Sequence, residues 1–242
     1  EISLANFFSI NPKYSLIKSQ IEHENLITKL FMEKAVAFDT ETTSLEISEA
    51  QLIGISFCFK KNEAYYCDFS KNPNLINLYQ DFFNSPILKI AHNLKYDYGI
   101  LFKYGIKISD HCFDTMIAHY LIDPEQRHNL DHLSRNILNY NPISIESLIG
   151  EKSKPTKKME EVDLNDLKNY AAEDADLTFQ LYLEFKDKIK ALKLDFLFEK
   201  VEMPLLKVLH DMEKEGIKIN TSSLLEFSEK LKLSLTDLEK SI

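Results

Sequence analysis

Short apolar runs that predict buried strands dominate the first part of the chain, and helical patterns follow them. Residues 35–38 form one such run, and residues 51–60 and 64–69 predict an antiparallel hairpin. Residues 87–91 predict another strand, which leads directly into the helical stripe of residues 93–104. Strands followed by helices, with strand and helix alternating in the middle, predict an α/β fold with a mixed sheet flanked by helices.

The second half of the chain predicts helices almost throughout. Asp114 is placed to cap a helix over residues 115–122, and a long helix is predicted over residues 163–192. The pattern then changes to two further helices, which Gly216 and a short extended segment separate. We therefore predict a C-terminal helical extension after the α/β part.

Length and composition limit the number of domains that the chain can form. The 242 residues, 44% of them apolar and 28% charged, fit one large domain with an appendage, which we place at 1–194 and 195–242. No apolar run approaches the roughly 20 residues of a membrane helix, and no signal segment opens the chain. The three cysteines show no paired spacing, which favours a reducing cytoplasm.

The net charge of −9 disfavours a surface that coats nucleic acid over a whole face, because phosphate binding needs an excess of Lys and Arg. The net charge does not exclude a local basic patch. Lys152, Lys154, Lys157 and Lys158 surround Pro155 and predict an exposed, mobile loop.

Two carboxylates end the first predicted strand. Asp39 and Glu41 are two residues apart, so in an extended chain both side chains lie on one face, roughly 6 to 7 Å apart. That separation suits shared coordination of a hard divalent cation. Alternatively, both acids face water or cap the next turn.

Two later segments place further acids where a site could form. Asp97 lies one turn into the helix that follows the strand at 87–91, and strand ends of this kind carry many sites in α/β sheets. Tyr170 and Asp174 are four residues apart on the long helix and share one face. Taken singly, Asp97 is equally well explained as a first-turn acid favoured by the helix dipole, and the other two as a core tyrosine and a surface acid.

Together, the three segments resemble the exonuclease motifs of the proofreading domain of bacterial DNA polymerase I, the DEDDy class of the ribonuclease-H-like superfamily. The order Asp-x-Glu, Asn-x3-Asp and Tyr-x3-Asp is specific to this class. The resemblance is carried by Phe38-Asp39-Thr40-Glu41-Thr42, Asn93 to Asp97, Asp114-Thr115-Met116, Arg127 to Asp131, Tyr170 to Asp176 and Val201 to Leu205. The last of these resembles the entry to the polymerase thumb, so 195–242 is predicted to be the truncated start of a thumb.

The resemblance implies a set of site residues. Asp39, Glu41, Asp97 and Asp174 would hold two divalent metal ions, with Mg²⁺ the expected ion and Mn²⁺ a substitute, and Tyr170 would orient the attacking water. The DNA contacts implied are Thr40, Leu45, His92, Asn93, Tyr96, Arg127 and Ile145. His92 and Ile145 depart from the usual pattern, which has Gln and an aromatic residue there, so strand binding is expected to be altered.

The function implied is 3′-5′ proofreading: hydrolysis of single-stranded or frayed DNA 3′ ends to nucleoside 5′-monophosphates, in the cytoplasm of a bacterium. The sequence stops before any palm or fingers sequence, so polymerase activity is expected to be absent from this fragment. The partners implied are DNA and the polymerase domain of the full-length chain, with the fragment itself monomeric or weakly self-associating. Two alternatives are a ribonuclease D-like RNA 3′ exonuclease and a catalytically inactive DNA-binding scaffold.

Overall fold

The computed structural model describes residues 4–151 and 156–241. The strands are β1 (Lys13–Ile17), β2 (Ala35–Thr42), β3 (Leu52–Lys60), β4 (Glu63–Asp68), β5 (Leu88–Ala91) and β6 (Cys112–Asp114). The helices are α1 (Phe7–Ile10), α2 (Gln20–Leu30), α3 (Gln80–Asn84), α4 (Leu94–Lys103), α5 (Thr115–Ile122), α6 (Leu130–Ile137), α7 (Ile145–Ile149), α8 (Leu164–Ala191), α9 (Asp195–Leu197), α10 (Met203–Glu215) and α11 (Thr221–Ser241). Pro73–Tyr79 and Met159–Glu161 are 3-10 helices, and Phe198–Glu202 is a π-helical segment.

The six strands form one mixed sheet in the order β1-β4-β3-β2-β5-β6. The central strand β3 runs antiparallel to both of its neighbours, β4 and β2. The remaining pairs, β1 with β4, β2 with β5 and β5 with β6, are parallel. The predicted α/β class, the mixed sheet and the hairpin are therefore confirmed.

Helices cover both faces of the sheet, and each face has its own apolar core. Alternate residues of β2 point to opposite faces, as the two-residue repeat of a strand requires. Val36 and Phe38 join the core beneath α2, α3 and α4, whereas Ala37 joins the core beneath α5, α6 and α8. The next residues on the Ala37 side are Asp39 and Glu41, so the strand alternation directs both acids toward the α8 layer.

Several elements differ from the sequence prediction in their bounds. β2 runs four residues past the apolar run at 35–38 and contains both acids near its end, as predicted. β1 and β6 were not predicted, because both are short edge strands whose pairing comes from distant parts of the chain. Within the predicted lysine loop, residues 152–155 lie outside the described residues, and Lys157 and Lys158 are exposed.

Two compact units make up the chain, Glu1–Lys207 and Val208–Ile242. The first contains the sheet and the helices up to the first part of α10. In the second unit α11 buries none of its described side chains, although Leu224, Phe227, Leu231, Leu235 and Leu238 recur at helical spacing. The domain boundary at 194/195, the thumb assignment and the weak self-association remain predictions. Among the described residues, no helix is long and apolar enough to cross a membrane.

Candidate active site

Three carboxylates from two elements meet at one point above the sheet. Asp39 and Glu41 come from β2, and Asp174 comes from the middle of α8. One oxygen of each carboxylate lies within 4.8 Å of the oxygens of the other two. Glu41 is 5% exposed, while Asp39 and Asp174 remain partly accessible. The cluster therefore presents acceptor oxygens that face a common centre and can be reached from solvent.

The donor set fits a hard divalent cation. Carboxylate oxygens are the ligands that Mg²⁺ and Mn²⁺ prefer. Glu41 Oε1 is buried and has no hydrogen-bond partner among the described residues, which is costly for an isolated carboxylate oxygen. A bound cation would satisfy that atom. Asp39, Glu41 and Asp174 are therefore the residues that could hold a metal ion.

Asp97 lines the same cleft as these three acids, but the protein itself holds its side chain. Its side chain is 2% exposed, and Oδ1 accepts hydrogen bonds from the Thr40 backbone N–H at 3.0 Å and from the Thr40 hydroxyl at 2.5 Å. Asp97 lies outside the group of three that share the 4.8 Å centre. Thr40 thus faces Asp97, a contact that the sequence did not predict.

Burial raises the pKa values of all four acids, and repulsion from nearby carboxylates adds to the effect. Burial contributes most to each, and the charge of Asp97 further raises the pKa of Asp39, while the charge of Glu41 further raises that of Asp174. The pKa of Asp97 rises to about 7 through burial, although the Thr40 hydrogen bonds oppose the shift. A site in which like charges crowd together in this way is prepared for a positive ion.

Tyr170 lies one helical turn before Asp174 and its phenol donates a hydrogen bond to that carboxylate. The nearby negative charge of Asp174 and burial raise the pKa of Tyr170, so its hydroxyl stays protonated at any ordinary pH. Ala171 and Ala172 are both fully buried and let α8 approach the sheet closely. The phenol is therefore available as a donor and orienting group beside the carboxylates.

The acids open into a cleft of about 530 Å³. Its walls contain six of the seven residues implied as DNA contacts: Thr40, Leu45, His92, Asn93, Tyr96 and Ile145. Leu45 is 88% exposed at the rim. Arg127 is exposed but is not among the residues that line the cleft, so the structure does not bring it to the acids. The binding roles of all seven remain predictions.

Some cleft residues were missed from the sequence. Ser44, Ile149 and Met159 join the walls, and Lys157 and Lys158 enter from the segment before α8. The lysines were predicted only as part of an exposed loop. No local signal shows that Lys157 and Lys158 line the same cleft as Asp39, because their approach depends on tertiary packing.

Asp114 stabilises the two helices that begin next to the cleft. It caps α5 by accepting from the Met116 N–H at 2.8 Å, as predicted, and it also accepts from the Leu94 N–H at 2.8 Å. One buried carboxylate therefore fixes the starts of two helices. Asn93, which precedes α4, adopts a left-handed conformation with φ of 67°, which asparagine tolerates better than most residues.

Glu173 ties α8 to the opposite wall of the cleft. It is fully buried, and its oxygens accept hydrogen bonds from the Tyr140 hydroxyl and, at 2.6 Å, from the Ile143 N–H. Burial raises its pKa to about 7. The segment that these bonds hold leads into α7, which supplies Ile145 and Ile149 to the cleft.

The family model and the similar proteins point to the same family. A family model described as 3′-5′ exonuclease matches residues 14–190. DNA polymerase I of Borreliella burgdorferi is 37% identical over 221 residues, which cover 88% of this chain and 24% of that protein. DNA polymerase I of Rhizobium leguminosarum is 33% identical over 261 residues, covering 95% of this chain and 25% of that protein. The chain thus spans about a quarter of the length of these relatives.

Solved structures share the fold at low sequence identity. The catalytic core of RRP6 from Trypanosoma brucei has a TM-score of 0.68 and 16% identity, covering 85% of this chain and 55% of that one. NrnC from Brucella melitensis, solved with bound Mg²⁺, has a TM-score of 0.62 and 21% identity, covering 84% and 94%. Both likenesses confirm the predicted ribonuclease-H-like fold.

Proposed function

The chain belongs to the 3′-5′ exonuclease family found in bacterial DNA polymerase I, and from that membership we propose that it is a proofreading nuclease. Its substrate would be a single-stranded or frayed DNA 3′ end, and its products nucleoside 5′-monophosphates. One observation carries the proposal: Asp39, Glu41 and Asp174 converge within 4.8 Å, inside the segment that the family model matches. The polymerase domain of a longer chain would be its covalent partner.

The roles of the residues follow from their places in the cleft. Asp39, Glu41 and Asp174 would hold one divalent ion, and Asp39 with Asp97 a second. When bound, such ions activate water and stabilise the charge on the departing oxygen. Tyr170, fixed by its bond to Asp174, would orient the attacking water. Leu45 at the rim would pack against the terminal bases, and Asn93 and Tyr96 would contact the strand.

Part of the proposal concerns the C-terminal helices. An alignment that covers 95% of the chain leaves only about 12 of 242 residues unmatched, so it must extend well beyond residue 207. This extension supports the thumb assignment, since the matched protein is a DNA polymerase I. The catalytic core of RRP6, at 16% identity, shares only the fold with this chain.

A paired assay tests the function. The protein is incubated with 5′-labelled single-stranded DNA and RNA of the same sequence, in Mg²⁺ or Mn²⁺, and shortening from the 3′ end is followed. We expect DNA to be shortened one nucleotide at a time, and a duplex with a mismatched 3′ terminus to be shortened faster than a matched one. RNA shortening with DNA spared would instead support a ribonuclease D-like enzyme. No release from either strand in both metals would support an inactive scaffold.

Replacing Tyr170 with phenylalanine should lower the exonuclease rate by about 10- to 1000-fold, because one orienting hydrogen bond is lost while all four acids remain. Single-turnover hydrolysis of a labelled oligonucleotide measures this rate. Tyr182→Phe is the matched control, since Tyr182 lies on the same helix away from the cleft. A loss for Tyr170→Phe as complete as that for Asp39→Ala would contradict the orienting role.

Replacing Lys152, Lys154, Lys157 and Lys158 with serine should weaken binding to single-stranded DNA. The chain is acidic overall, so attraction to phosphates must come from local lysines, two of which line the cleft. For each lysine that neutralises a phosphate, its removal should reduce the slope of log affinity against log salt by about 0.7. Fluorescence anisotropy at several salt concentrations measures both quantities.

A variant in which four exposed lysines away from the cleft become serine controls for net charge. These are Lys18, Lys34, Lys71 and Lys107. If the loop variant and this control lose affinity equally, the effect is one of total charge and the loop lies off the DNA path.

A further inference from the structure

A buried tyrosine on β4 stands behind the acidic cluster without an evident partner. Tyr66 is 0% exposed, and its hydroxyl has no hydrogen-bond partner among the described residues. Burying an unpaired hydroxyl costs about 1–3 kcal/mol, and phenylalanine would fill the same space without that cost. The oxygen therefore calls for a functional explanation.

Gly54 gives the Tyr66 phenol its position. A Cβ built on Gly54 would lie 2.3 Å from the Tyr66 hydroxyl oxygen and 2.4 Å from the ring carbon that bears it. Contacts this short are impossible, so the end of the phenol occupies the space that any other residue at 54 would fill. The missing side chain of Gly54 therefore leaves room on β3 for the phenol.

This space lies next to Glu41. In the sheet, Gly54 pairs directly with Glu41 on β2 and with Asp68 on β4. Side chains of directly paired residues begin about 4.5 to 5.5 Å apart on the same face. Since the Tyr66 hydroxyl takes the place of a Gly54 side chain, it lies beside the Glu41 side chain, although the two are not hydrogen-bonded in this structure.

Both groups have an unsatisfied atom at this place. Glu41 Oε1, an acceptor, and the Tyr66 hydroxyl, a donor, are each buried and unpaired among the described residues. Burial and then the negative charge of Glu41 raise the pKa of Tyr66, so the phenol keeps its proton and can donate. Leu167 and Ala171 of α8 pack on Tyr66 and restrict it to this orientation.

We propose that Tyr66 is a positioning residue: its hydroxyl, unpaired in this structure, donates a hydrogen bond to the Glu41 carboxylate across Gly54 when a divalent cation is bound, and thereby fixes the orientation in which Glu41 holds that cation. The proposal rests on the proposed function, since it assigns a support to one of that site's metal-binding residues. Tyr66 touches neither the substrate nor the cation. It acts through Glu41.

Titration of Mn²⁺ into the protein without DNA, followed by calorimetry, tests this role independently of activity. Tyr66→Phe removes one oxygen and should weaken Mn²⁺ binding by about 10- to 100-fold, the usual range for loss of a group that holds a ligand. In chelator its melting temperature should equal or exceed that of the wild type, because an unpaired buried hydroxyl is removed. Tyr65→Phe is the matched control: that phenol bonds Glu63 and packs in the core on the other face of the sheet.

A second substitution separates positioning from general damage. In a Glu41→Gln background, Tyr66→Phe should change Mn²⁺ affinity by less than about 2-fold, because the partner carboxylate is gone. Unchanged Mn²⁺ affinity for Tyr66→Phe in the wild-type background would overturn the proposal, as would an equal loss in both backgrounds. Failure of the wild type itself to bind Mn²⁺ and to shorten DNA would overturn the proposed function instead.

Discussion

Asp39→Ala is expected to reduce exonuclease activity more than 100-fold while the protein stays folded. Asp39 is the one acid that the proposed mechanism assigns to both cations, so no other ligand replaces it. Burial contributes most to the raised pKa of Asp39, and the charges of Asp97 and Asp174 raise it further, so Asp39 interacts with both of these acids. Removing Asp39 therefore removes the carboxylate that interacts with both.

The rate of nucleotide release under single-turnover conditions measures this effect, and circular dichroism shows whether the fold is kept. Asp39→Asn is a useful second variant because it preserves the volume and removes only the charge. Glu184→Ala, an exposed acid on α8, serves as the control and should retain full activity. Residual activity of Asp39→Ala above about a hundredth of the wild-type rate would contradict the bridging role.

The second large effect concerns stability. In chelator, the four crowded acids should destabilise the wild type, and Asp39→Ala should melt at the same temperature or higher because one repelling charge is gone. Mn²⁺ that binds only the folded protein adds RT ln(1 + [L]/Kd), about 2.7 kcal/mol at a hundredfold excess over Kd. The mutant should gain much less from the ion, since it lacks a ligand.

The same repulsion predicts a pH dependence with a definite sign. A carboxyl group whose pKa is higher in the folded protein than in the unfolded chain binds extra protons on folding, so the free energy of unfolding increases as the pH falls through that window. For Asp97 the window runs from about 7 down to the ordinary value of 3.8. In chelator, the wild type should therefore gain stability relative to Asp39→Ala as the pH falls from about 8 to about 5.

Thermal melts of both proteins in chelator and in Mn²⁺, at several pH values, decide this. A metal-free mutant clearly less stable than the metal-free wild type would show that Asp39 is a structural acid held by hydrogen bonds. Equal stabilisation of both proteins by Mn²⁺ would show that the ion binds elsewhere.

Local patterns predict the parts of this molecule that local chemistry controls. The two-residue repeat of a strand is enough to place Asp39 and Glu41 on one face, and helical spacing is enough to place Tyr170 beside Asp174. The capping role of Asp114 follows from its position alone. These features depend on residues close together in the chain, where geometry is fixed by the element itself.

The contacts that complete the site could not be predicted in this way. The bonds from Thr40 to Asp97 join residues 57 positions apart, and the approach of Tyr66 to Glu41 depends on three strands in register. A sequence shows that Gly54 lacks a side chain but not that a distant phenol fills the space. Arg127 is the opposite case, because the resemblance implied a contact and the structure leaves that side chain outside the cleft lining.

The two hydrogen bonds of Glu173 have a mechanical consequence. They join the segment before α7 to the helix turn that carries Asp174, so they link the wall that would contact the substrate to one of the carboxylates that would hold the metal. Under the proposed function, a nucleotide that displaced Ile145 would strain these hydrogen bonds and, through them, the turn of α8 that carries Asp174. Contact with the substrate and the position of Asp174 would then be linked, and a poorly bound strand end would disturb the site that hydrolyses it.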